Sequence, residues 1–465
     1  MNIKCFMKSA LLATIALCTA MPVATAETDQ EHNDRVKWWR DAKFGMFIHY
    51  GLYSGLGGEV DGKKYEGCVE WIQMMSGLDS DSYAKKALPL FNPKKGCAKA
   101  WVKLAKESGV KYITLTSKHH EGFALFDSKA CDFNSVKTKG VDIIKEYSEA
   151  CRANGIKAGY YYSLLDWQHP DYDGKWSQER GVSYPKGNLT THTFGNHDKY
   201  KKFLLKQINE LITNYGPVDL IWWDFSTPNF EGDEAWGASD LLKLVRSKQP
   251  KVVMNNRFYY SPTVKEMGAM KAVSRDKGDF TTPEHYIPQK GIPGDWEACM
   301  SLNGTWGYSA SNTNWKTDTE LLRQLTDTVS RGGNLLLNLG PKPDGSIPEE
   351  SARLFKEMGK WLKVNGDAIY GTTQSPFTQT FPWGVVTQKG NNLYAILYTM
   401  PEQKSIQLPC TFVLTPKVSA LADGTKIPTK QSKEGISLDL SHLKVMPHAT
   451  VVKIAGECKL LPVTK

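Results

Sequence analysis

The chain has 465 residues, of which 41% are hydrophobic and 23% are charged, and its formal net charge is +9. This length is sufficient for one large domain and one small domain. No basic run is interleaved with aromatic residues, which argues against nucleic acid as a partner, and the charge indicates no more than a mildly basic surface.

The first 26 residues have the pattern of a signal peptide. Lys4 and Lys8 give a positive start, residues 10–20 form a short apolar stretch, and Ala-Thr-Ala at 24–26 suits cleavage before Glu27. The apolar stretch is too short to span a bilayer, and no later segment has the length and apolarity of a membrane helix. We expect an exported protein: periplasmic or secreted in a bacterium, secreted or lysosomal in a eukaryote.

Between residues 44 and 364, short β-rich runs alternate with amphipathic helical runs. Strands are predicted at 44–49, 111–116, 157–163, 219–225, 252–256 and 335–339. Helices are predicted at 100–108, 141–153, 199–215, 241–247, 320–330 and 349–364, and Gly155 is placed to end the second of them.

This alternation predicts a parallel α/β fold, and the length suits a (β/α)8-like barrel of the TIM type over residues 27–368. Fewer than eight strands are clear, so the predicted barrel is irregular. The alternative is a doubly wound open sheet, but no Gly-x-Gly-x-x-Gly turn follows the first strand.

Residues 369–465 no longer alternate between strand and helix patterns, and they contain β-rich segments such as 384–387 and 393–398. Asn391-Asn392 and Asp423-Gly424 are predicted as turns between strands. We expect a small antiparallel β-sandwich, and we favour structural support over sugar binding as its role.

Seven cysteines follow the predicted signal peptide. They are Cys68, Cys97, Cys131, Cys151, Cys299, Cys410 and Cys458. Their odd number, wide spacing and lack of a CxxC pair argue against a disulfide scaffold or a zinc knuckle. The formation of one or two disulfide bonds after export remains an alternative.

Polar side chains fall at the carboxyl ends of the predicted strands, where barrel enzymes place their active sites. They are His49, His119-His120, Asp166-Trp167, Asp224, Arg257 and Asn338, with Glu284 and Glu297 on the connection that follows Arg257. Aromatic residues accompany them: Trp71, Tyr161, Tyr162, Trp167, Trp222, Trp223, Trp296 and Trp306. Aromatic faces pack on the apolar side of a sugar while polar groups bind its hydroxyls, so this set indicates carbohydrate chemistry.

Glycoside hydrolysis requires one ionised and one protonated carboxyl group. Asp224 suits the ionised role, because it ends a strand that is otherwise apolar; the alternative is a cap to a neighbouring loop. Arg257 is a candidate to keep Asp224 ionised, to bind a hydroxyl, or to form a plain surface ion pair. His119-His120 are not expected to bind zinc, since adjacent strand residues point to opposite sides. We expect no metal and no cofactor.

Several motifs resemble those of the α-L-fucosidases of glycoside hydrolase family 29, in order from about residue 36 to 372. They are Trp38-Trp39, Phe44 to Gly51, Glu70-Trp71, Lys118 to Phe123, Tyr161 to Ser163, Asp166-Trp167, Ile221 to Asp224, Asn256-Arg257, Asp279 to Glu284, Trp296-Glu297, Trp306 to Tyr308 and Asn334 to Asn338. The resemblance implies a retaining exo-α-L-fucosidase that acts on terminal fucosyl residues of fucosylated oligosaccharides or glycoconjugates.

The same resemblance assigns roles to individual residues. It implies that Asp224 is the nucleophile and Glu284 the acid/base, with Glu297 as the rival for the second role. The implied contacts to fucose are His49, Glu70, Trp71, His119, His120, Tyr161 or Tyr162, Trp222, Arg257 and Trp306. Two rival functions stay open: a fucose-binding protein with an inactive barrel, and an exo-glycosidase for another sugar such as a galactoside. Linkage preference and oligomeric state are not predicted.

Overall fold

The structure is a computed structural model that describes residues 27–172, 195–227, 229–259 and 274–462. The predicted signal peptide lies outside these residues. The chain between Phe44 and Leu339 builds a curled, all-parallel sheet of seven strands with the order β7-β6-β5-β4-β1-β9-β8. These strands are β1 (Phe44–Ile48), β4 (Tyr112–Lys118), β5 (Lys157–Ser163), β6 (Leu220–Asp224), β7 (Val253–Met254), β8 (Glu297–Met300) and β9 (Asn334–Leu339), and a small hairpin contributes β2 (Glu59–Val60) and β3 (Lys63–Lys64).

The segment 279–285 joins the two edges of this sheet. Its Asp279 amide donates to the carbonyl of Met254, the last residue of β7, at 2.7 Å, and the amide of Cys299 in β8 donates to the carbonyl of Pro283, at 3.0 Å. Bridges of the parallel type lie on both sides of it. The barrel predicted from the sequence is therefore confirmed, and its eighth position is irregular because Pro283 has no backbone N–H to donate.

Helices lie between successive strands and cover the outside of the sheet. They are α1 (Asp29–Ala42), α2 (Leu52–Leu56), α3 (Ile72–Ser76), α4 (Ser80–Ala87), α5 (Cys97–Glu107), α6 (Ser135–Lys139), α7 (Ile143–Asn154), α8 (His197–Asn214), α9 (Gly232–Trp236), α10 (Ala238–Lys248), α11 (Asp318–Ser330) and α12 (Glu349–Asn365). All six predicted helices are present, and α7 ends at Gly155 with a φ of 67°, a left-handed conformation that glycine adopts at little cost. Helix α1 begins with a capping box between Thr28 and Glu31. Among the described helices, none has the length and apolar character needed to cross a membrane.

Aromatic rings fill the inside of the barrel. Phe47 lies 5.2 Å from Trp222, and Trp222 stacks on Tyr161 at 5.7 Å, all centroid to centroid. Trp39 of α1 stacks on Phe280 at 4.5 Å. Because large buried rings occupy the interior, the space for a ligand lies at the carboxyl ends of the strands.

The remaining strands are antiparallel, as predicted. They are β10 (Gly384–Lys389), β11 (Asn392–Leu397), β12 (Ser405–Leu408), β13 (Cys410–Phe412), β14 (Lys417–Ala420), β15 (Thr429–Ser432), β16 (Gly435–Asp439), β17 (Thr450–Ala455) and β18 (Cys458–Leu460). They form sheets with the orders β10-β11-β17-β14, β12-β16-β15 and β13-β18, packed around one apolar core. The first turn lies at Gly390-Asn391, one residue before the predicted Asn391-Asn392, because Gly390 adopts a left-handed φ of 56°.

Candidate active site

A cavity of about 130 Å³ opens at the carboxyl ends of the barrel strands. Its walls are formed by Phe47, His49, Glu70, Trp71, His119, His120, Tyr161, Trp222, Asp224, Phe225, Arg257, Glu284, Cys299 and Trp306. Eleven of these side chains were predicted from the sequence, so the strand ends and the connecting loops converge on one place.

Asp224 ends β6 at the floor of the cavity, with 13% of its side chain exposed. The hydroxyl of Tyr161 donates to Oδ2 at 2.6 Å, and Nη1 of Arg257 donates to Oδ1 at 2.9 Å. Nε2 of His120 lies 3.9 Å from Oδ2. Phe225, the next residue, has a φ of 92°, so the chain turns sharply directly after Asp224. Donors on both oxygens fix the orientation of the carboxylate.

Arg257 connects the two acids of the cavity. Its Nη2 donates to Oε2 of Glu284 at 3.0 Å, while Nη1 holds Asp224. Nε donates to Oγ1 of Thr282 at 2.7 Å, and the guanidinium lies 4.5 Å from the ring centre of Trp222. Burial alone would lower the pKa of Arg257, but the charges of Asp224 and Glu284 hold that pKa above its usual value. The guanidinium therefore stays charged between the two acids.

The two candidate acid/base glutamates have different surroundings. Glu284 lines the cavity on the irregular segment, and 39% of its side chain is exposed. Glu297 is fully buried behind Trp222, whose Nε1 donates to Oε1 at 3.1 Å, and the Tyr112 hydroxyl donates to its Oε2. Burial raises the pKa of Glu297 to about 7. The structure thus brings Glu284 to Asp224 and leaves Glu297 outside the cavity wall.

Three buried histidines line one side of the cavity. Burial lowers the pKa of His49 and of His120 to about 3 and that of His119 well below its usual value, so all three rings are neutral near pH 7. Nδ1 of His49 lies 2.7 Å from Oδ1 of Asn338, and Nδ1 of His120 lies 2.7 Å from the hydroxyl of Ser163. In His49 and His120 these contacts leave Nε2 directed away from the partner of Nδ1 and available to a ligand. Nδ1 of His119 is buried and has no hydrogen-bond partner among the described residues.

His119 and His120 correct one expectation from the sequence. Both rings line the cavity, 4.1 Å apart, rather than pointing to opposite sides. The reason is that β4 ends at Lys118, and both histidines lie in the turn after it, where the strand alternation no longer applies. Within the described ranges, no group of three or more His, Cys, Asp or Glu side chains is arranged to hold a metal ion.

Glu70 and two tryptophans form the remaining wall. Oε2 of Glu70 accepts hydrogen bonds from the amides of Gly307 at 3.0 Å and Trp306 at 3.3 Å, so it fixes the loop that carries Trp306. Burial raises the pKa of Glu70 to about 7. Trp306 stacks on His49 at 5.2 Å, and Trp71 contacts His120 edge-on at 4.9 Å. This wall therefore combines two tryptophan faces with a buried carboxyl group.

Other predicted residues lie beside the cavity rather than in it. Tyr162 points to the outside of the sheet, and its hydroxyl donates to Oε1 of Gln207 at 2.6 Å. Asp166 forms a buried ion pair with Lys118, at 2.8 Å. The sequence reasoning missed Phe47, Phe225 and Cys299. Phe47 precedes His49 by two residues and Cys299 follows Glu297 by two, so the period of a strand could have revealed both.

The two adjacent tyrosines allow a matched test of the site. We expect Tyr161→Phe to lower kcat/KM about 10- to 100-fold, because it removes a hydrogen bond to a charged carboxylate, worth about 1.5–3 kcal/mol. Tyr162→Phe removes a buried hydrogen bond outside the cavity, so we expect near-normal kcat/KM and a small loss of thermal stability. Steady-state kinetics and melting curves of both variants check this, and equal kinetic losses would contradict it.

Comparisons with known proteins all lead to one family of enzymes. A family model described as alpha-L-fucosidase matches residues 13–367. The plasma alpha-L-fucosidase of Homo sapiens is 31% identical over 429 residues, which cover 88% of this chain and 86% of that protein. Alpha-L-fucosidase isoenzyme 1 from Paenibacillus thiaminolyticus superposes with a TM-score of 0.77 at 33% identity, covering 92% of this chain and 99% of that one.

A second solved structure is an alpha-L-fucosidase of glycoside hydrolase family 29 from Bacteroides thetaiotaomicron, trapped as a covalent intermediate. It superposes with a TM-score of 0.77 at 26% identity and covers 92% of this chain and 96% of that one. The match of the family model over most of the chain and the shared barrel lead to one assignment. This chain belongs to the alpha-L-fucosidase family, glycoside hydrolase family 29, and is a glycoside hydrolase.

Proposed function

We propose that this fucosidase removes terminal α-L-fucosyl residues from fucosylated glycans with retention of anomeric configuration. Asp224 attacks the anomeric carbon and forms a β-fucosyl ester, while Glu284 gives its proton to the departing oxygen. Glu284 then takes a proton from water, which attacks the same carbon and releases α-L-fucose and free Asp224. The reaction requires no cofactor.

The observation that carries this proposal is the guanidinium of Arg257, which is hydrogen-bonded to both acids at once. One shared group keeps the two carboxyls close together, as retaining glycosidases require, with a typical separation of about 5–5.5 Å. The related enzyme from Bacteroides thetaiotaomicron supports the double displacement, because its covalent intermediate was trapped with 2-fluoro-fucosyl fluoride using a glutamate-to-glutamine mutant.

The cavity also suits the chemistry of fucose. Its volume of about 130 Å³ encloses little more than one sugar ring, which favours a terminal residue. In neutral His49 and His120, Nδ1 donates to its partner, so Nε2 can accept a hydrogen bond from a ring hydroxyl. His119 is neutral as well and lines the same wall. Trp71 and Trp306 offer apolar faces to the ring and its methyl group.

The positions of three residues in the structure define their proposed roles more closely than the sequence does. Of the tyrosine pair, we propose Tyr161 alone as the residue of the site, since it lines the cavity and holds Asp224. Glu297 acts as a positioning residue, because it accepts from the indole of Trp222 and holds that ring under Arg257. Glu70 positions Trp306 through the loop amides and faces the substrate from the same wall.

We further propose export after removal of residues 1–26, and a division into a barrel at 27–368 and a C-terminal β-domain at 369–465. Relatives described as plasma and tissue alpha-L-fucosidases support a route out of the cytoplasm. The β-domain supports the barrel through contacts such as Trp361 Nε1 to the Ala449 carbonyl at 2.9 Å and the Tyr398 hydroxyl to Asp327 at 2.8 Å.

Product analysis tests the proposal directly. We expect an aryl α-L-fucoside to release α-L-fucose first, which proton NMR detects before mutarotation, because two inversions at one carbon give net retention. The matched aryl α-L-galactoside, which adds a hydroxyl at C6, should be a much poorer substrate. Initial appearance of the β-anomer would rule out retention, and binding without hydrolysis would identify an inactive barrel.

A further inference from the structure

Helix α1 lies at the amino-terminal ends of the barrel strands. The carbonyl of Trp39 accepts a hydrogen bond from Nδ2 of Asn334, the first residue of β9, at 2.7 Å. Nη1 of Arg35 donates to the carbonyl of Val252, the residue before β7, at 3.0 Å. The cavity opens at the other end of the same strands, so a segment that contacts both α1 and the cavity runs the length of the barrel.

Segment 279–285 contacts both, and α1 holds its first residues. Arg35 forms a bidentate ion pair with Asp279, in which Nη1 lies 2.8 Å from Oδ2 and Nη2 lies 2.7 Å from Oδ1. One helical turn later, Trp39 stacks on Phe280 at 4.5 Å. Two consecutive residues of the segment are therefore fastened to one face of α1.

The Asp279 carboxylate accepts two further hydrogen bonds. Its Oδ2 lies 2.8 Å from the amide of Met254 in β7 and 3.0 Å from Nη2 of Arg246. Because the Asp279 amide donates back to the Met254 carbonyl, side chain and backbone together fix this residue to β7. The Asp279 side chain is only 1% exposed, and Glu27 pairs with the other side of Arg35 at 2.6 Å. Two acids and two arginines thus form a network in which every charge has a partner of opposite sign.

Glu284 lies at the opposite end of the segment. Pro283 interrupts the pairing with β8 directly before it, because proline has no N–H to donate. The Glu284 side chain is 39% exposed, and Nη2 of Arg257 donates to its carboxyl group at 3.0 Å. Five residues separate Glu284 from Asp279, about 16 Å of extended chain at about 3.3 Å per residue. The anchor at one end of the barrel and the acid at the other are thus parts of one short strand-like segment.

We propose that Asp279 is a positioning residue for catalysis: its ion pair with Arg35 sets the place along the barrel axis at which the segment presents Glu284. This inference rests on the acid/base role proposed above for Glu284. Without the anchor the segment shifts along β8, and Glu284 moves relative to the departing oxygen. Asp224 keeps its place, because it lies on β6, which pairs with β5 through Asp224 itself.

Such a shift has a specific kinetic signature. A misplacement of about 1 Å can cost about 10²-fold in rate, and here the loss falls on the transfer of a proton to the leaving group. Fucosides with poor leaving groups need that proton, whereas activated aryl fucosides depart nearly without it. A purely structural loss lowers the amount of folded enzyme and therefore affects both substrates equally.

Asp279→Asn tests the proposal, since it keeps the size of the side chain and removes the charge that pairs with Arg35. The kcat/KM of the purified enzyme is measured on methyl α-L-fucoside and on 2-chloro-4-nitrophenyl α-L-fucoside. We expect the ratio of the second value to the first to rise about 10-fold or more over that of the wild type, because only the methyl fucoside depends on a well-placed acid.

Asp219 offers a matched control. It also lies at the amino-terminal end of the barrel, where its carboxylate accepts from the Ala158 amide at 2.9 Å and pairs with Lys157 at 2.7 Å. It precedes Asp224 by five residues, but β6 is paired with β5 along its whole length, so the register of β6 does not depend on this carboxylate. Asp219→Asn should lower the melting temperature and leave the substrate ratio unchanged.

A milder variant keeps the test open if Asp279→Asn folds poorly. Arg35→Lys retains the positive charge but cannot form the bidentate pair, so we expect a smaller rise of the same ratio. An unchanged ratio in every folded variant of the pair would overturn the proposal and leave Asp279 with a structural role only. Glu284→Ala separates the two proposals. If it raises the ratio and Asp279→Asn does not, the positioning role alone fails; if it leaves the ratio unchanged, the acid/base role fails and the positioning role with it.

Discussion

Asp224→Ala is expected to lower kcat on an aryl α-L-fucoside by more than about 10⁴-fold while the protein still folds, because a covalent mechanism cannot proceed without its nucleophile. Folding is expected to survive because Arg257 keeps its hydrogen bonds to Glu284 and to Thr282, so no unpaired buried charge is left. Stopped assays at saturating substrate and circular dichroism check the two halves of this prediction.

Two further measurements make the Asp224 prediction specific. Asp224→Asn keeps the shape of the side chain and should lose activity to a similar degree, which separates chemistry from packing. Added azide should partly restore Asp224→Ala by attacking from the vacated side, and the product should be the β-fucosyl azide, inverted relative to the substrate. Near-normal activity without azide would remove Asp224 from the nucleophile's role.

The sequence was informative at this position for a physical reason. A carboxylate at the end of an apolar strand is costly unless it is paired, and the carboxyl ends of parallel strands meet at one face of a barrel. His49, Asp224 and Arg257 follow this rule, and all three line the cavity. The helix boundaries were also predicted well, because amphipathic spacing and caps such as Gly155 are local signals.

The points that the sequence left open or predicted wrongly depend on information that is not local. The choice between Tyr161 and Tyr162 depends on the pairing register, in which Tyr161 is opposite Trp222 and Tyr162 is opposite Trp223. Trp222 shares the inner face with Asp224, two residues on, so only the register identifies Tyr161 as the inward ring. In the same way, His119 and His120 share a cavity because both lie after Lys118, the last residue of β4, whereas the sequence reasoning treated them as strand residues.

Segment 279–285 is the clearest case of a structural feature that local sequence does not predict. It has little strand character in sequence and contains Pro283, yet it is held between β7 and β8 by backbone hydrogen bonds. Its position in the barrel follows from the closure of the sheet, which no short stretch of sequence encodes. For this reason the sequence left Glu284 and Glu297 as rivals, and the structure separates them by placing Glu284 on the cavity wall.

We therefore expect Glu284→Ala and Glu297→Gln to affect activity in different ways. Glu284→Ala should lose about 10²- to 10⁴-fold in kcat/KM on substrates with poor leaving groups, which need a proton, and much less on activated aryl fucosides. Its fucosyl ester should accumulate, because no base activates water, so KM should fall with kcat.

Azide completes the distinction between the two glutamates. It needs no general base, so it should accelerate Glu284→Ala and trap the fucosyl ester as the α-fucosyl azide, the anomer opposite to that from Asp224→Ala. Glu297→Gln keeps an acceptor for the indole of Trp222 and should lose stability more than turnover, with no response to azide. Azide rescue of Glu297→Gln, with none for Glu284→Ala, would transfer the acid/base role to the buried glutamate. That result would require Trp222 to move aside during catalysis, since its ring separates Glu297 from the cavity.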